Sequence, residues 1–224
     1  MIPIRDENPT HQTPIVTYLF ILINVIVFIF QIMFGSQDTA MAYQFALVPS
    51  RFLSNLSVGN VLNIFTSMFM HAGLAHIGGN MLYLWIFGDN VEDVMGKGRY
   101  VIFYILGGIA SSLTHIFTNP NSQIPTVGAS GAIAAVLGAY LILYPRQRVV
   151  TLIPLGFFMR LTMLPASIVL GMWFVLQLFQ GVMTLGGPDV GGVAFWAHIG
   201  GFVTGVLLAN IFKQPQYRET HQTW

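Results

Sequence analysis

The stretch IVTYLFILINVIVFIFQIMF, residues 15–34, decides the class of fold. It contains no charged side chain, and a helix needs about 20 apolar residues to cross the hydrocarbon core of a bilayer. The stretch is too long for the core of a signal peptide and lacks a clear cleavage pattern, so we interpret it as a retained first membrane span. The polar segment 1–14 before it is then a cytoplasmic N-terminus.

The composition extends this interpretation to the whole chain. Of its 224 residues, 54% are hydrophobic and 8% are charged, whereas soluble domains carry about 25% charged residues. The mean hydropathy is +0.69, so most of the surface must face lipid. A net charge of +1 argues against nucleic acid as a partner. The lack of cysteine excludes disulfides and thiolate metal sites.

Apolar stretches bounded by turn signals predict five further spans, at residues 74–87, 100–117, 130–144, 165–183 and 194–212. Segment 35–73 is a long first loop that we expect to lie partly in the membrane, and residues 213–224 form a cytoplasmic tail. The stretch 149–158 is apolar but short and contains a proline and a glycine, so we interpret it as an interfacial loop. If it spanned the membrane, there would be seven helices and the last would be inverted. We therefore predict an all-α polytopic membrane protein with a six-transmembrane-helix bundle over residues 15–212.

The basic residues support this count and orient the bundle. With six spans and a cytoplasmic N-terminus, eight of the nine Lys and Arg residues lie on the cytoplasmic side and only Arg51 lies outside. Cytoplasmic segments of membrane proteins carry such an excess of positive charge. We therefore predict that both termini are cytoplasmic.

Polar residues inside spans are costly and each needs a reason. The candidates are His76, Asn80, His115, Ser130 and His198. No Asp or Glu lies deep in a predicted span, which argues against a carboxylate proton relay or an ion-coupled transporter. The second, fourth and sixth spans all enter from the outer side. His76, Ser130 and His198 lie near the outer ends of these spans and therefore share one layer near the outer face.

Ser130 lies in Gly128-Ala129-Ser130-Gly131, at the start of the fourth span. The flanking glycines allow a tight turn, and unpaired N–H groups at a helix start suit an oxyanion formed when a serine attacks a carbonyl. The same position also suits a serine that caps the helix, and for Ser130 taken alone capping is the commoner role.

Small residues predict how the fourth and sixth spans pack. Gly201, Gly205 and Ala209 form a ridge on the sixth span, and Ala134 and Gly138 form one on the fourth. Close packing of these ridges would bring Ser130 near His198. Ordinary helix packing, or a histidine bonded to nearby backbone, would also explain these residues.

His76 and Asn80 are four residues apart and share one face of the second span. Both side chains can donate hydrogen bonds to an oxyanion. A metal bound by His71, His76 and His198 is the alternative, but without nearby carboxylates or cysteines we predict no metal. His71, His115 and His221 are interpreted as structural or surface residues.

Together these residues resemble the rhomboid family of intramembrane serine proteases. The matches are Gly128-Ala129-Ser130-Gly131, Ala197-His198-x-x-Gly201-x-x-x-Gly205 and His76-x-x-x-Asn80, in the family's order, and the opening Ile2-Pro3-Ile4-Arg5-Asp6-x-Asn8-Pro9 is similar to bacterial members. The resemblance covers nearly the whole chain. It implies that Ser130 is the nucleophile and His198 the general base. It also implies that His76, Asn80 and the Ser130 backbone N–H bind the oxyanion, and that the fifth helix and residues 184–192 gate lateral access of substrate.

Two positions depart from the pattern of some members. Ala134 stands where an aromatic side chain would stack on the histidine, and Leu62-Asn63 stands where a Trp-Arg pair would hold the first loop. The resemblance therefore leaves open how the His198 ring is oriented and how rigid the loop is.

The implied function is an intramembrane serine endopeptidase that needs no cofactor and cleaves in or next to transmembrane segments of membrane proteins. A non-catalytic rhomboid-like protein that binds membrane clients is the alternative, but such relatives lack the serine or the histidine. A small transporter or channel would place polar residues at mid-membrane on several helices. The lack of a targeting sequence or further domain predicts a prokaryotic cytoplasmic membrane, with the site open to the outer face. The physiological substrate and the oligomeric state are not predicted.

Overall fold

The computed structural model describes residues 1–35, 43–156, 158–185 and 193–215. Its long helices are α1 (Ile15–Gly35), α4 (Leu74–Met95), α5 (Lys97–Thr118), α6 (Ser130–Leu143), α7 (Ala166–Met183) and α8 (Phe195–Phe212). Two short helices in the first loop are α2 (Pro49–Ser54) and α3 (Val58–Ser67). The strands are β1 (Ile2–Asp6), β2 (Arg148–Leu155) and β3 (Phe158–Pro165). Each predicted span corresponds to one long helix, and the protein is helical and polytopic.

Four helices in the described part of the chain are long and apolar enough to cross a membrane, namely α1, α5, α7 and α8. The other two long helices differ in composition or length. Helix α4 has 22 residues, but its last turns carry Asp89, Glu92 and Asp93. Helix α6 has 14 residues, fewer than the roughly 20 that a straight span across the hydrocarbon core requires.

The end of α4 differs from the prediction. The second span is predicted to end at residue 87, but the helix continues to Met95. The reason is a tertiary contact at Glu92, whose carboxylate accepts hydrogen bonds from the backbone N–H groups of Val16 and Thr17, at 3.0 and 2.7 Å, and from the Thr17 hydroxyl at 2.8 Å. These N–H groups lie in the first turn of α1 and have no partner within that helix. The acidic end of α4 therefore caps α1.

The prediction of an all-α fold is wrong in one region, because β1, β2 and β3 form an antiparallel sheet in that order. The stretch interpreted as an interfacial loop contains nearly all of β2 and the turn that leads into β3, with Gly156 at a φ of 64° in that turn. The segment before α1 also includes a strand, since β1 pairs with β2. β-branched residues in Val149-Val150-Thr151 favour a strand. Pairing with the distant β1, which the local pattern does not encode, extends the hairpin to three strands.

The core is built around α6, which is buried without interruption from Gly131 to Tyr140. Its contact with α8 is the most extensive between any two elements of the described chain. A Cβ added at Gly201 would lie against the carbonyl oxygen of Gly131, and one added at Gly205 against that of Ala135. A Cβ at Gly138 would lie against the carbonyl oxygen of Phe202. Only glycines at these points let the two helices approach so closely.

Helix α7 is held more loosely than the others around the site. Its buried residues are few, namely Ala166, Val169, Leu170 and Gly181, and large apolar side chains such as Val175 and Phe179 are each 62% exposed. Within the protein it contacts α8 most extensively. Much of its surface is thus left for lipid.

The first loop is held by polar contacts of its own. Asn63 donates to the carbonyl oxygens of Gln44 and Ala46, each at 3.1 Å. Arg51 donates to the Ala46 carbonyl at 2.8 Å and to the carbonyl of Tyr43. These two side chains connect α2 and α3 to the preceding segment.

Candidate active site

Ser130 is the first residue of α6, and the segment before it is tied to the first loop. The Gly128 N–H donates to the Ser67 carbonyl at 2.8 Å, and Leu47 and Thr126 exchange two backbone hydrogen bonds. Gly128 has a φ of 136°, which favours glycine, and a Cβ there would lie 2.8 Å from the His76 ring. The glycine thus provides both the turn into the helix and the space that the His76 ring occupies.

The structure brings Ser130 and His198 together. The His198 Nε2 atom lies 2.7 Å from the Ser130 Oγ atom, within hydrogen-bonding distance. The residue that caps α6 is Ala129, and no side chain caps this helix end, so Ser130 does not take the capping role. His198 is 9% exposed and its ring bonds side chains rather than nearby backbone.

Small residues of α6 and α8 face each other around this pair. Ala134 faces Gly201, since its Cβ is 3.3 Å from the position of a Cβ added there. Gly131 also faces α5, because a Cβ on Gly131 would lie against the Ser111 side chain. The start of α6 is therefore enclosed by α5 on one side and α8 on the other.

Side chains of α7 contact the His198 ring, and these contacts were not predicted from the sequence. Gln177 Oε1 lies 2.7 Å from His198 Nδ1. The Trp173 ring lies beside the imidazole, with centroids 5.8 Å apart and planes at 31°. Trp173 thus supplies an aromatic contact that Ala134 cannot. The available sequence signal was Gln177 itself, a polar side chain in the middle of an apolar span.

His76 is placed to donate towards the region of Ser130. Its Nδ1 atom accepts a hydrogen bond from the Ala72 N–H at 3.4 Å, so the neutral ring carries its proton on Nε2. That nitrogen faces Gly128, as the 2.8 Å approach to a Cβ built there indicates. The Nε2–H group is thus a donor beside the start of α6.

Asn80 is also close to this region, but part of its hydrogen-bonding capacity is used. Its Nδ2 atom lies 2.9 Å from His71 Nε2, which leaves one amide proton for another acceptor. His71 is buried, and its backbone N–H donates to the Gln31 side chain at 2.9 Å. The contact with His71 thus fixes the position of the Asn80 amide.

Of the remaining histidines, His115 lines the same cavity as Ser130 and His198. His115 Nε2 lies 3.0 Å from the Thr126 hydroxyl, so it helps to hold the segment before Ser130. His221 and most of the predicted gating loop, 186–192, lie outside the described residues. Within the described ranges, no group of three His, Asp or Glu side chains is arranged to bind a metal.

The candidate site residues share one cavity of about 930 Å³. Ser130, His198, His76 and Asn80 all line it, together with parts of the segment 119–128 and the start of α8. A serine bonded to a histidine, beside N–H donors and an open cavity, is an arrangement suited to nucleophilic attack on a carbonyl. The fold is that of a helical polytopic membrane protein, and its cavity holds a serine hydroxyl within hydrogen-bonding distance of a histidine ring.

Comparisons with known proteins give the family. A family model described as the rhomboid domain matches residues 58–215, so the chain belongs to the rhomboid family. It is therefore an integral multi-pass membrane protein of a family that includes intramembrane proteases.

Individual relatives share moderate identity with the chain. Rhomboid protease GluP of Bacillus subtilis (strain 168) is 29% identical over 204 residues, which cover 91% of this chain and 36% of GluP. RHOMBOID-like protein 1 of Arabidopsis thaliana is 31% identical over 158 residues, or 70% of this chain and 36% of that protein. Rhomboid protein 1, mitochondrial, of Saccharomyces cerevisiae is 32% identical over 96 residues, or 41% and 28%. The chain thus spans roughly a third of the length of these curated relatives.

Proposed function

We propose that this protein is an intramembrane serine endopeptidase that cleaves peptide bonds in or next to transmembrane segments of membrane proteins. The observation that carries the proposal is the 2.7 Å contact between Ser130 Oγ and His198 Nε2 in a cavity large enough for an extended peptide. The name of GluP as a rhomboid protease is consistent with it.

In the first half of the reaction, the Ser130 oxygen attacks the carbonyl carbon of the scissile bond while His198 Nε2 takes the hydroxyl proton. The carbonyl oxygen becomes an oxyanion. We assign its donors as the Ser130 backbone N–H, which lies in the first turn of α6, the His76 Nε2–H and the free amide proton of Asn80. The intermediate collapses when His198 gives its proton to the leaving amine, which leaves an acyl-enzyme on Ser130.

In the second half, water attacks the acyl carbon while His198 takes one of its protons. The proton then returns to the Ser130 oxygen as the ester bond breaks, and the new carboxylic acid is released. No metal or cofactor is required, because each proton moves between substrate, water and these two side chains. A transmembrane substrate must unwind locally before attack, because a helix hides its carbonyls in its own hydrogen bonds. We therefore expect cleavage next to helix-weakening residues such as glycine or proline.

We also propose that α4 and α6 complete a six-span bundle with both termini in the cytoplasm of a prokaryote, so that the cavity opens to the outer face. The placement of eight of nine basic residues on one side supports this orientation. Helix α6 is shorter than a full span, and its buried position among other helices makes that length tolerable.

One experiment tests both the chemistry and the orientation. Intact cells and purified protein are treated with a membrane-impermeant fluorophosphonate, and purified protein is also incubated with a single-span substrate. We expect labelling at Ser130 in intact cells and cleavage of the substrate. Both should be lost in Ser130→Ala, and cleavage should fall to background in His198→Ala. Cleavage retained by purified Ser130→Ala would refute the nucleophile, and labelling only after lysis would refute the orientation. Client binding with neither labelling nor cleavage would favour a non-catalytic rhomboid-like protein.

A further inference from the structure

Helix α7 contains one amide side chain whose position the apolar character of the helix does not explain. Its sequence is ASIVLGMWFVLQLFQGVM, with glutamines at positions 177 and 180. Gln180 is exposed, whereas Gln177 is half-buried and its Oε1 atom lies 2.7 Å from His198 Nδ1. An amide in an apolar environment is costly unless it is hydrogen-bonded. Gln177 therefore meets its hydrogen-bonding need at the ring that contacts Ser130.

The chemistry of this contact fixes the protonation of the ring. An amide oxygen can only accept, so His198 Nδ1 must carry a hydrogen. In the neutral ring, Nε2 then has a lone pair, and this lone pair faces the Ser130 hydroxyl at 2.7 Å. The opposite tautomer would direct an N–H at the Ser130 oxygen and could not accept its proton. We propose that Gln177 is the positioning residue that holds His198 in the tautomer and orientation required to deprotonate Ser130. This inference rests on the proposed protease function.

A second contact from the same face of α7 supports this role. Trp173 lies four residues before Gln177, hence one turn away on the same side of the helix. Its ring lies beside the His198 imidazole and also 5.9 Å from the Phe202 ring. One side chain thus holds the Nδ1 edge of the imidazole, and the other packs beside its plane. In a dyad without a carboxylate, these two contacts are what orients the base.

This arrangement connects the dyad to the helix that the protein core holds most loosely. Helix α7 contacts α8 more extensively than any other element of the described chain, and large apolar side chains on its other faces are left for lipid. A displacement of α7 away from α8 would remove the Nδ1 acceptor of His198. The base is therefore correctly oriented only when α7 is packed against α8.

The test compares two glutamines on one helix. Gln177→Met keeps the length of the side chain but removes the acceptor, and Gln180→Met makes the same change at an exposed position. General-base catalysis contributes about 10²–10⁴-fold, and part of it remains when His198 still contacts Ser130, so we expect Gln177→Met to lower kcat about 10- to 100-fold with KM nearly unchanged. Gln180→Met should match the wild type. Gln177→Glu, which restores an acceptor, should recover much of the lost kcat.

Several outcomes would overturn the proposal. Gln177→Met with the kcat of Gln180→Met would show that the contact does not position the base. A rise in KM at constant kcat would assign Gln177 a structural role only. So would a failure of Gln177→Glu to recover activity while that variant still unfolds at the wild-type temperature. Wild-type protein that neither cleaves nor takes the fluorophosphonate would instead refute the proposed function, and this inference with it.

Discussion

Gly205→Ala tests the close packing of α8 on α6 that brings the dyad together. A Cβ added at Gly205 would lie 2.6 Å from the carbonyl carbon of Ala135 and 2.8 Å from its Cα, and closer still to its oxygen. These are backbone atoms in the middle of a buried helix, so they cannot rotate aside as a side chain could. The two helices must therefore separate.

The size of the separation follows from the same contacts. Ordinary contact begins at 3.4 Å, so relief of the carbonyl-carbon contact requires a movement of at least about 0.8 Å, and relief of the closer contact with the oxygen requires more. His198 is on the same helix, two turns before Gly205, and a shift of this size would stretch its 2.7 Å contact with Ser130 to the limit of a hydrogen bond. Overpacking costs about 1–3 kcal/mol of stability. Misplacement of a catalytic group by about 1 Å costs about 10²-fold in rate.

The assay is cleavage of a single-span substrate by purified protein, with thermal unfolding measured in the same detergent. We expect Gly205→Ala to lose about 100-fold in kcat, more than its loss of stability would cause at a temperature where it remains folded. Gly171→Ala on α7 is the matched control, because a Cβ there meets nothing within 4 Å. It should be neutral or stabilising by up to about 1 kcal/mol, since alanine favours a helix over glycine. Wild-type kcat in Gly205→Ala would refute the reasoning.

Two further predictions concern the end of the bundle that carries β1 and the start of α1. Burial raises the pKa of the Asp6 carboxyl from 3.8 to about 6. Between these values the folded protein keeps a proton that the unfolded chain has released, so stability should fall as the pH rises towards 6. Asp6→Asn should flatten this dependence and raise the Tm at about pH 7, whereas an unchanged pH profile of Tm would contradict the assignment. Glu92→Gln replaces a carboxylate that accepts three hydrogen bonds at the start of α1, and we expect it to lower the free energy of unfolding by about 2–4 kcal/mol. Glu7→Gln, at an exposed position, is the control for both changes, and a Glu92→Gln variant as stable as this control would show that the cap contributes little.

The helices were largely predictable because their signal is local. Runs of apolar residues such as 15–34 and 194–212 correspond to α1 and α8 almost to the residue. The end of α4 and the sheet were not predictable in the same way. From the sequence alone, Glu92 is a charged residue beyond the second span, and its contact with α1 is visible only in the structure. Likewise, the residues of β1 belong to a polar N-terminal segment, and only the structure shows that they pair with β2.

The residues of the candidate site were found by a different route. Ser130, His198, His76 and Asn80 are polar groups whose burial in a membrane costs free energy, and they lie at one depth. The resemblance to rhomboids then predicted that they form one site. Gln177 carried the same cost, yet it lies in the fifth span rather than in one of the three that hold the other site residues. The length of a side chain and the rotation of its helix, rather than its depth alone, decide what it contacts.

The sequence by itself determined that this is a helical polytopic membrane protein, and which few polar residues could do chemistry, because hydropathy and charge act residue by residue. Small residues on two helices also determined which helices could approach closely. Only the tertiary structure decided that Ser130 Oγ meets His198 Nε2 and that Gln177 holds the other ring nitrogen. Those contacts join residues 68 and 21 positions apart. Their geometry depends on the relative rotation of packed helices, which no local pattern specifies.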